Sequence, residues 1–239
     1  MTALQFLPGS GDILIIVDHA SNHVPEPIDL GIDPALLQTH IAWDIGAATL
    51  AEALGFPAFL ASVSRLVVDF NREADAPGIV PMSSDGIDIP GNAGDVANRV
   101  SDYWNPYHNA LAQKIAEMRP KLLVSLHSFT PRLSSRSDEV RPWEIGILYN
   151  EDDRAARMAI PLLEAAGVIV GDQLPYSGKI LNATMNRHGE GTDTPYLGIE
   201  VRQDLIDSAA GAAKWARILL PVIEKCAKQL TIDQGATRS

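Results

Sequence analysis

His19 and His127 stand far apart in the chain, yet each directly follows a short apolar run: DILIIVD over 12–18 and KLLVSL over 121–126. A third run, LGIEV over 197–201, carries Glu200, with Arg202 just beyond it. Two imidazoles and a carboxylate suit zinc or another divalent metal. A hydrolytic zinc site takes about three protein ligands and keeps one position for water. The metal polarises a scissile carbonyl and acidifies the water. A carboxylate outside the ligand set can then carry the proton to the leaving nitrogen. A lone histidine is more often a hydrogen-bonded structural residue. The paired placement of His19 and His127 favours the functional reading.

The segment 64–72 (SRLVVDFNR) is the sharpest local signal. Arg65 and Arg72 bracket an apolar stretch, with Asp69 and Asn71 beside the second arginine. A guanidinium grips a carboxylate through two parallel hydrogen bonds, and an amide can complete the grip. A pair of salt bridges at strand ends is an equal alternative on these residues alone. Other polar residues carry weaker signals. His188, in an irregular stretch after PYSGK, is a candidate substrate contact, and Arg202 and Arg187 are candidates for a second carboxylate. His108, in a helical PYH, reads as a buried hydrogen-bonding residue. Ser128 reads as a residue that orients a neighbour, because no nucleophile elbow surrounds it. No phosphate-binding glycine loop is present.

The elements that must position these groups alternate between strand and helix. Strand signals cover 12–18, 57–63, 65–70, 121–126, 144–149, 168–170 and 197–201. Helical spacing covers 34–54, 101–118, 152–166 and 205–229, with Gly55 and Pro120 as stops. Two stretches, 73–99 and 172–194, show no periodicity, and loops that long in a compact domain are usually functional. The alternation predicts an α/β fold with a mostly parallel sheet and helices on both faces. In such sheets ligands bind beyond the carboxyl ends of the strands, which is where His19, His127 and Glu200 fall. One domain is expected over residues 1–239, with an ordered core of about 10–230.

Composition bounds the partners. With 46% hydrophobic residues the 239-residue chain can bury a sizeable core. A net charge of −11 opposes nucleic acid at long range. The single cysteine, Cys226, excludes an intrachain disulfide and reads as a core filler. There is no basic leader and no run of 18 apolar residues, so a membrane span is not expected and the cytoplasm is the expected compartment. Nothing specifies an oligomeric state.

The chain resembles the N-formylglutamate amidohydrolase family. The matching segments are DHASNHVP (18–25), WD (43–44), SRLVVDFNR (64–72), PYH (106–108), LHSFTP (126–131), PYSG (175–178) and GIEVRQDLI (198–206). The DFNR element is also similar to the signature of aspartoacylase and succinylglutamate desuccinylase. The resemblance implies a three-layer sandwich with a central mixed sheet, like zinc carboxypeptidases. It also implies hydrolysis of N-formyl-L-glutamate, or a close N-acyl amino acid, as a small acidic substrate. By position, His19 and His127 correspond to metal ligands and Glu200 to the general base. Arg65 corresponds to the carbonyl-polarising arginine, and Asn71 with Arg72 to the carboxylate grip. One departure stands out. The carboxypeptidase pattern has a glutamate three residues after the first histidine, and here that residue is Asn22. Asp44 is the expected replacement, with His23 and His40 as the other candidates. Two further readings remain: an amidohydrolase of another N-acyl or peptide substrate, and a ligand-binding relative without its metal.

Overall fold

The structure, a computed structural model, describes residues 4–237. The chain runs β1 (Leu4–Leu7), β2 (Ile13–Val17), α1 (Ala47–Leu54) and β3 (Ala58–Ala61). A small hairpin of β4 (Ser83–Ser84) and β5 (Ile87–Asp88) follows, then α2 (Val96–Arg99), α3 (Asn105–Met118) and β6 (Leu122–Phe129). The last part holds β7 (Ile145–Leu148), α4 (Arg154–Ala165), β8 (Val170–Asp172), α5 (Ala183–His188), β9 (Tyr196–Arg202) and α6 (Ala209–Thr237).

Seven strands form one sheet in the order β1-β3-β2-β6-β9-β7-β8. The central pairs β3–β2, β2–β6 and β6–β9 are parallel, as is β7–β8, while β1–β3 and β7–β9 are antiparallel. Every residue of Ile13–Val17 is buried, because helices and loops cover both faces of the sheet. Strand periodicity sends alternate side chains to opposite faces. Ile13, Ile15 and Val17 join Leu122, Val124, Leu126, Leu197, Ile199 and Val201 in a core with α1, α4 and α6. Leu14, Ile16, Leu123 and Tyr196 face α3 and the turns of 63–80. The result is the expected three-layer α/β arrangement around a mixed, mostly parallel sheet. Cys226 is buried in α6, as a filler.

Three local expectations are corrected. Residues 65–70 are not a strand. Val67 and Val68 both bond back to the Ser64 carbonyl and Arg72 to that of Asp69, so the segment is a chain of turns. Leu66 packs into one core cluster and Val67, Val68 and Phe70 into another; an apolar run does not tell a strand from a buried turn. The helix expected over 34–54 is broken. Only a 3-10 turn at Pro34–Gln38 and α1 form, because Gly46 takes φ 82° against the Ile206 carbonyl. The stretches without periodicity hold the β4–β5 hairpin, α2 and α5, and the edge strand β1 lies outside the expected strands. Among the described residues, no helix is long and apolar enough to cross a membrane.

Candidate metal centre and active site

The sheet face that packs on α3 becomes polar toward its carboxyl end. On β6 the alternation runs Leu123, Ser125, His127, and on β9 it runs Tyr196, Gly198, Glu200. The parallel register sets His127 directly beside Glu200. His127 thus lies within the strand, which continues to Phe129 and past the expected end at 126. His19 follows the end of β2. Asp44 is brought to both histidines by the turn before α1, where its backbone N–H donates to the His19 carbonyl at 2.9 Å.

His19, Asp44 and His127 are buried and form one group whose ligand atoms all lie within 4.8 Å of one another, so they could hold a metal ion. Asp44 Oδ2 faces Nδ1 of His127 at 2.8 Å and Nδ1 of His19 at 3.4 Å. Nε2 of each ring faces a carboxylate, within hydrogen-bond distance for His19 and beyond it for His127. His19 Nε2 lies 2.7 Å from Asp69 Oδ1, and His127 Nε2 lies 3.8 Å from Asp18 Oδ2. Asp18 Oδ1 in turn accepts from the Tyr107 hydroxyl at 2.6 Å. A carboxylate hydrogen-bonded to the far nitrogen, as Asp69 is to His19, orients a histidine toward a metal.

The residues fit a divalent ion on independent physical grounds. Asp18 Oδ2, His19 Nδ1, His127 Nε2 and Glu200 Oε2 are buried without a hydrogen-bond partner. Buried polar atoms are rarely left this way. The surroundings also demand positive charge. Burial opposes a proton on His127, yet the hydrogen bond and charge of Asp44 lift its pKa to about 9. Burial and Arg65 oppose a proton on His19, yet Asp69 and Asp44 prevail and raise it. A cation among these donors would satisfy the same electrostatics. Asn22 is elsewhere, its amide donating to the Leu37 carbonyl. His40 bonds to Asp85 at the rim, 3.1 Å away, and His23 is exposed; neither joins the cluster.

Around the cluster lies a cleft of about 340 Å³ that also takes in Arg65, Asp69, Asn71, Arg72, Ser128, Tyr176 and Glu200. Arg65 reaches Asp44 at 3.4 Å and Asp69 at 3.1 Å. Asp69 also pairs with Arg72 Nε at 3.3 Å, which leaves the outer guanidinium nitrogens of Arg72 to the cleft. Asn71 accepts from the Thr184 N–H, so its amide –NH₂ is left to donate. Ser128 donates to the Ile45 carbonyl and its N–H to Asp44, holding the Asp44 turn against β6. Burial lifts the Glu200 carboxyl to about 7, a value suited to moving a proton near neutral pH.

Two expected substrate contacts lie outside the cleft. His188 is buried behind it, bonded to His108 at 2.9 Å, because α5 packs against α3. Arg202 points away to Asp204 and the Trp143 carbonyl. Conversely, sequence reading assigned no role to Asp18, Tyr107 or Tyr176. Asp18, a carboxylate ending an otherwise apolar buried run, was the one visible clue.

The N-formylglutamate amidohydrolase family model matches residues 11–207. An N-formylglutamate deformylase of Pseudomonas aeruginosa is 26% identical over 145 residues, covering 52% of this chain and 54% of that protein. The chain therefore aligns with about half the length of this curated relative. Among solved structures, a gene product of Agrobacterium tumefaciens superposes with a TM-score of 0.90 at 30% identity, over 97% of each chain. An N-formylglutamate amidohydrolase of Ralstonia eutropha superposes with a TM-score of 0.71 at 18% identity, over 98% of this chain and 100% of that one, which shows a common fold. With His19 just past β2, His127 within β6, the arginine-rich turn and the Glu200 strand all inside the matched region, the chain belongs to the N-formylglutamate amidohydrolase family.

Proposed function

We propose that this protein hydrolyses the amide bond of N-formyl-L-glutamate, or of a close N-acyl amino acid, to the carboxylic acid and the free amino acid. The observation that carries this reading is the placing of Glu200 beside His127, on one sheet face, in a cleft that also holds Arg65 and the Asn71–Arg72 pair. His19, Asp44 and His127 would hold the divalent metal, zinc or another, which supplies Lewis acidity toward water and the acyl oxygen. Arg72 and Asn71 take the substrate's α-carboxylate, and that fixed orientation removes part of the barrier. Arg65 directs its guanidinium at the acyl oxygen, where negative charge develops. Glu200 accepts the proton of the attacking water and delivers it to the leaving nitrogen. Ser128 acts through Asp44, which it holds in place.

The test is release of formate or the corresponding acid from a panel of N-acyl amino acids, using protein supplied with zinc, manganese or cobalt. Metal-dependent turnover is expected, with N-formyl-L-glutamate among the best substrates. Absence of metal-dependent turnover across the whole panel would sink the reading.

A further inference from the structure

Arg141 is a fully buried arginine that no part of the proposed reaction uses. Its side chain is 1% exposed, and it is not among the residues that line the cleft. It lies beneath Tyr176, which does line the cleft, and its guanidinium carbon sits 5.2 Å from the centre of the tyrosine ring. Nη1 donates to the Tyr176 hydroxyl oxygen at 3.0 Å and to the Thr130 carbonyl at 3.3 Å, while Nε donates to Glu139 at 3.1 Å.

A guanidinium only donates. The Tyr176 oxygen is therefore the acceptor in this bond, and its own O–H must point elsewhere. No protein acceptor takes that proton among the described residues, and the open side of the phenol is the cleft. The charges that act on the phenol from the cleft are those of Glu200 and Arg65. Tyr176 lines the cleft together with Arg65 and Glu200, and the loop that carries it packs on β7 at Gly146, opposite Glu200.

The loop carrying Tyr176 is held at both ends. Gln173 accepts from the Gly178 N–H at 2.8 Å and donates to the Tyr149 carbonyl at 2.6 Å. Gly146, opposite Glu200 in the register, has no side chain where a Cβ would stand 2.3 Å from the Leu174 carbonyl. The loop can thus lie against β7 next to Glu200. A donor held this way is preorganised, which is what stabilising a developing charge requires.

We infer that Arg141 is a positioning residue that fixes the Tyr176 hydroxyl as a hydrogen-bond donor to the acyl oxygen, alongside Arg65. The inference rests on the hydrolase reading above. Arg141 contributes by occupying the phenol's acceptor side, and it never touches substrate.

The experiment is steady-state kinetics on the metal-loaded protein, with the N-acyl amino acid turned over fastest in the panel. Tyr176→Phe should lower kcat by roughly 100-fold, as loss of one oxyanion donor does, with KM little changed. Arg141→Met should lower kcat in the same way by a smaller factor, and Arg141→Lys, which keeps a donor, should recover most of it. The double variant Tyr176→Phe with Arg141→Met should be no slower than Tyr176→Phe alone, because both changes remove one interaction. Should Arg141→Met fail to fold, Arg141→Lys takes its place in the same cycle and should have no effect on the Tyr176→Phe background. An unchanged kcat in Tyr176→Phe, or losses that multiply in the double variant, overturns the inference while leaving the hydrolase reading intact. No turnover by the unaltered protein overturns both.

Discussion

Asp18 is a carboxylate with no exposed surface and, among the described residues, no lysine or arginine against it. Among the described residues, the Tyr107 hydroxyl donates to it and His127 Nε2 stands 3.8 Å away. A buried charge in that position is tolerable only if its neighbour is cationic, as an imidazole bound to a metal effectively is. Asp18→Asn should therefore weaken metal binding by about 10–100-fold, the usual effect of losing such an outer carboxylate. Competition with a chromophoric chelator measures this without reference to turnover, and unchanged affinity would remove Asp18 from the centre. Glu200 differs, since it is not one of the three grouped ligands. Glu200→Gln should retain a full equivalent of metal while kcat falls by about 100-fold or more, the scale of a general base. Metal content by elemental analysis, paired with the rate, separates the two roles. Loss of metal in Glu200→Gln would make Glu200 a ligand instead.

At the scale of elements, the Asp44 turn decides whether three candidate ligands or two come together. Gly46 follows Asp44 by two residues and opens α1 with φ 82°. A Cβ there would stand 2.2 Å from the Ile206 carbonyl, where β9 passes into α6. Left-handed backbone costs an L-residue about 1–2 kcal/mol, and forced overpacking adds about 1–3 kcal/mol. Gly46→Ala should thus destabilise the fold by roughly 2–5 kcal/mol, read as a lower urea midpoint at constant slope, and should reduce metal affinity along with it. A wild-type midpoint would mean that the turn relaxes freely. The same glycine explains why helical spacing over 34–54 was misleading. The pattern of apolar residues was genuine, but Leu36 and Leu37 pack in a satellite cluster and Leu50 and Leu54 in the main core. One straight helix does not serve two cores. The arginine-bearing segment misled in the same way. Its valines are buried as a strand's would be, but turns let Arg65, Asp69, Asn71 and Arg72 all line one cleft, which a strand sending side chains to alternate faces would not do.

For the whole molecule, the buried His108–His188 pair ties α3 to α5 behind the cleft. Burial lowers both, His108 to about 3 and His188 to about 4. The unfolded chain therefore binds more protons than the folded one below the ordinary histidine pKa of 6.5. Their contribution is complete above 6.5 and is lost as pH falls from there toward 4 and below. Linkage puts this at about 2 kcal/mol per histidine by pH 5. His108→Asn, which can still donate to the Phe70 carbonyl, should lose less stability than the wild type between pH 7 and 5, measured by urea unfolding. Equal losses would show that the pair is not neutral in the folded state.

The chain's own pattern was enough to establish an α/β sheet, the strands that carry His19, His127 and Glu200, and the family to which those segments belong. Each of these is a matter of local periodicity and short motifs, which a linear sequence displays. What required the folded molecule was distance. Asp44 joins the histidines through a glycine turn, Asp18 meets Tyr107 across 89 residues, and Arg141 lies beneath Tyr176. His188 and Arg202, both reasonable candidates by residue type, turn out of the cleft because packing sets where a side chain points. Long-range pairings depend on how the layers close over one another, and no spacing within one segment encodes that closure.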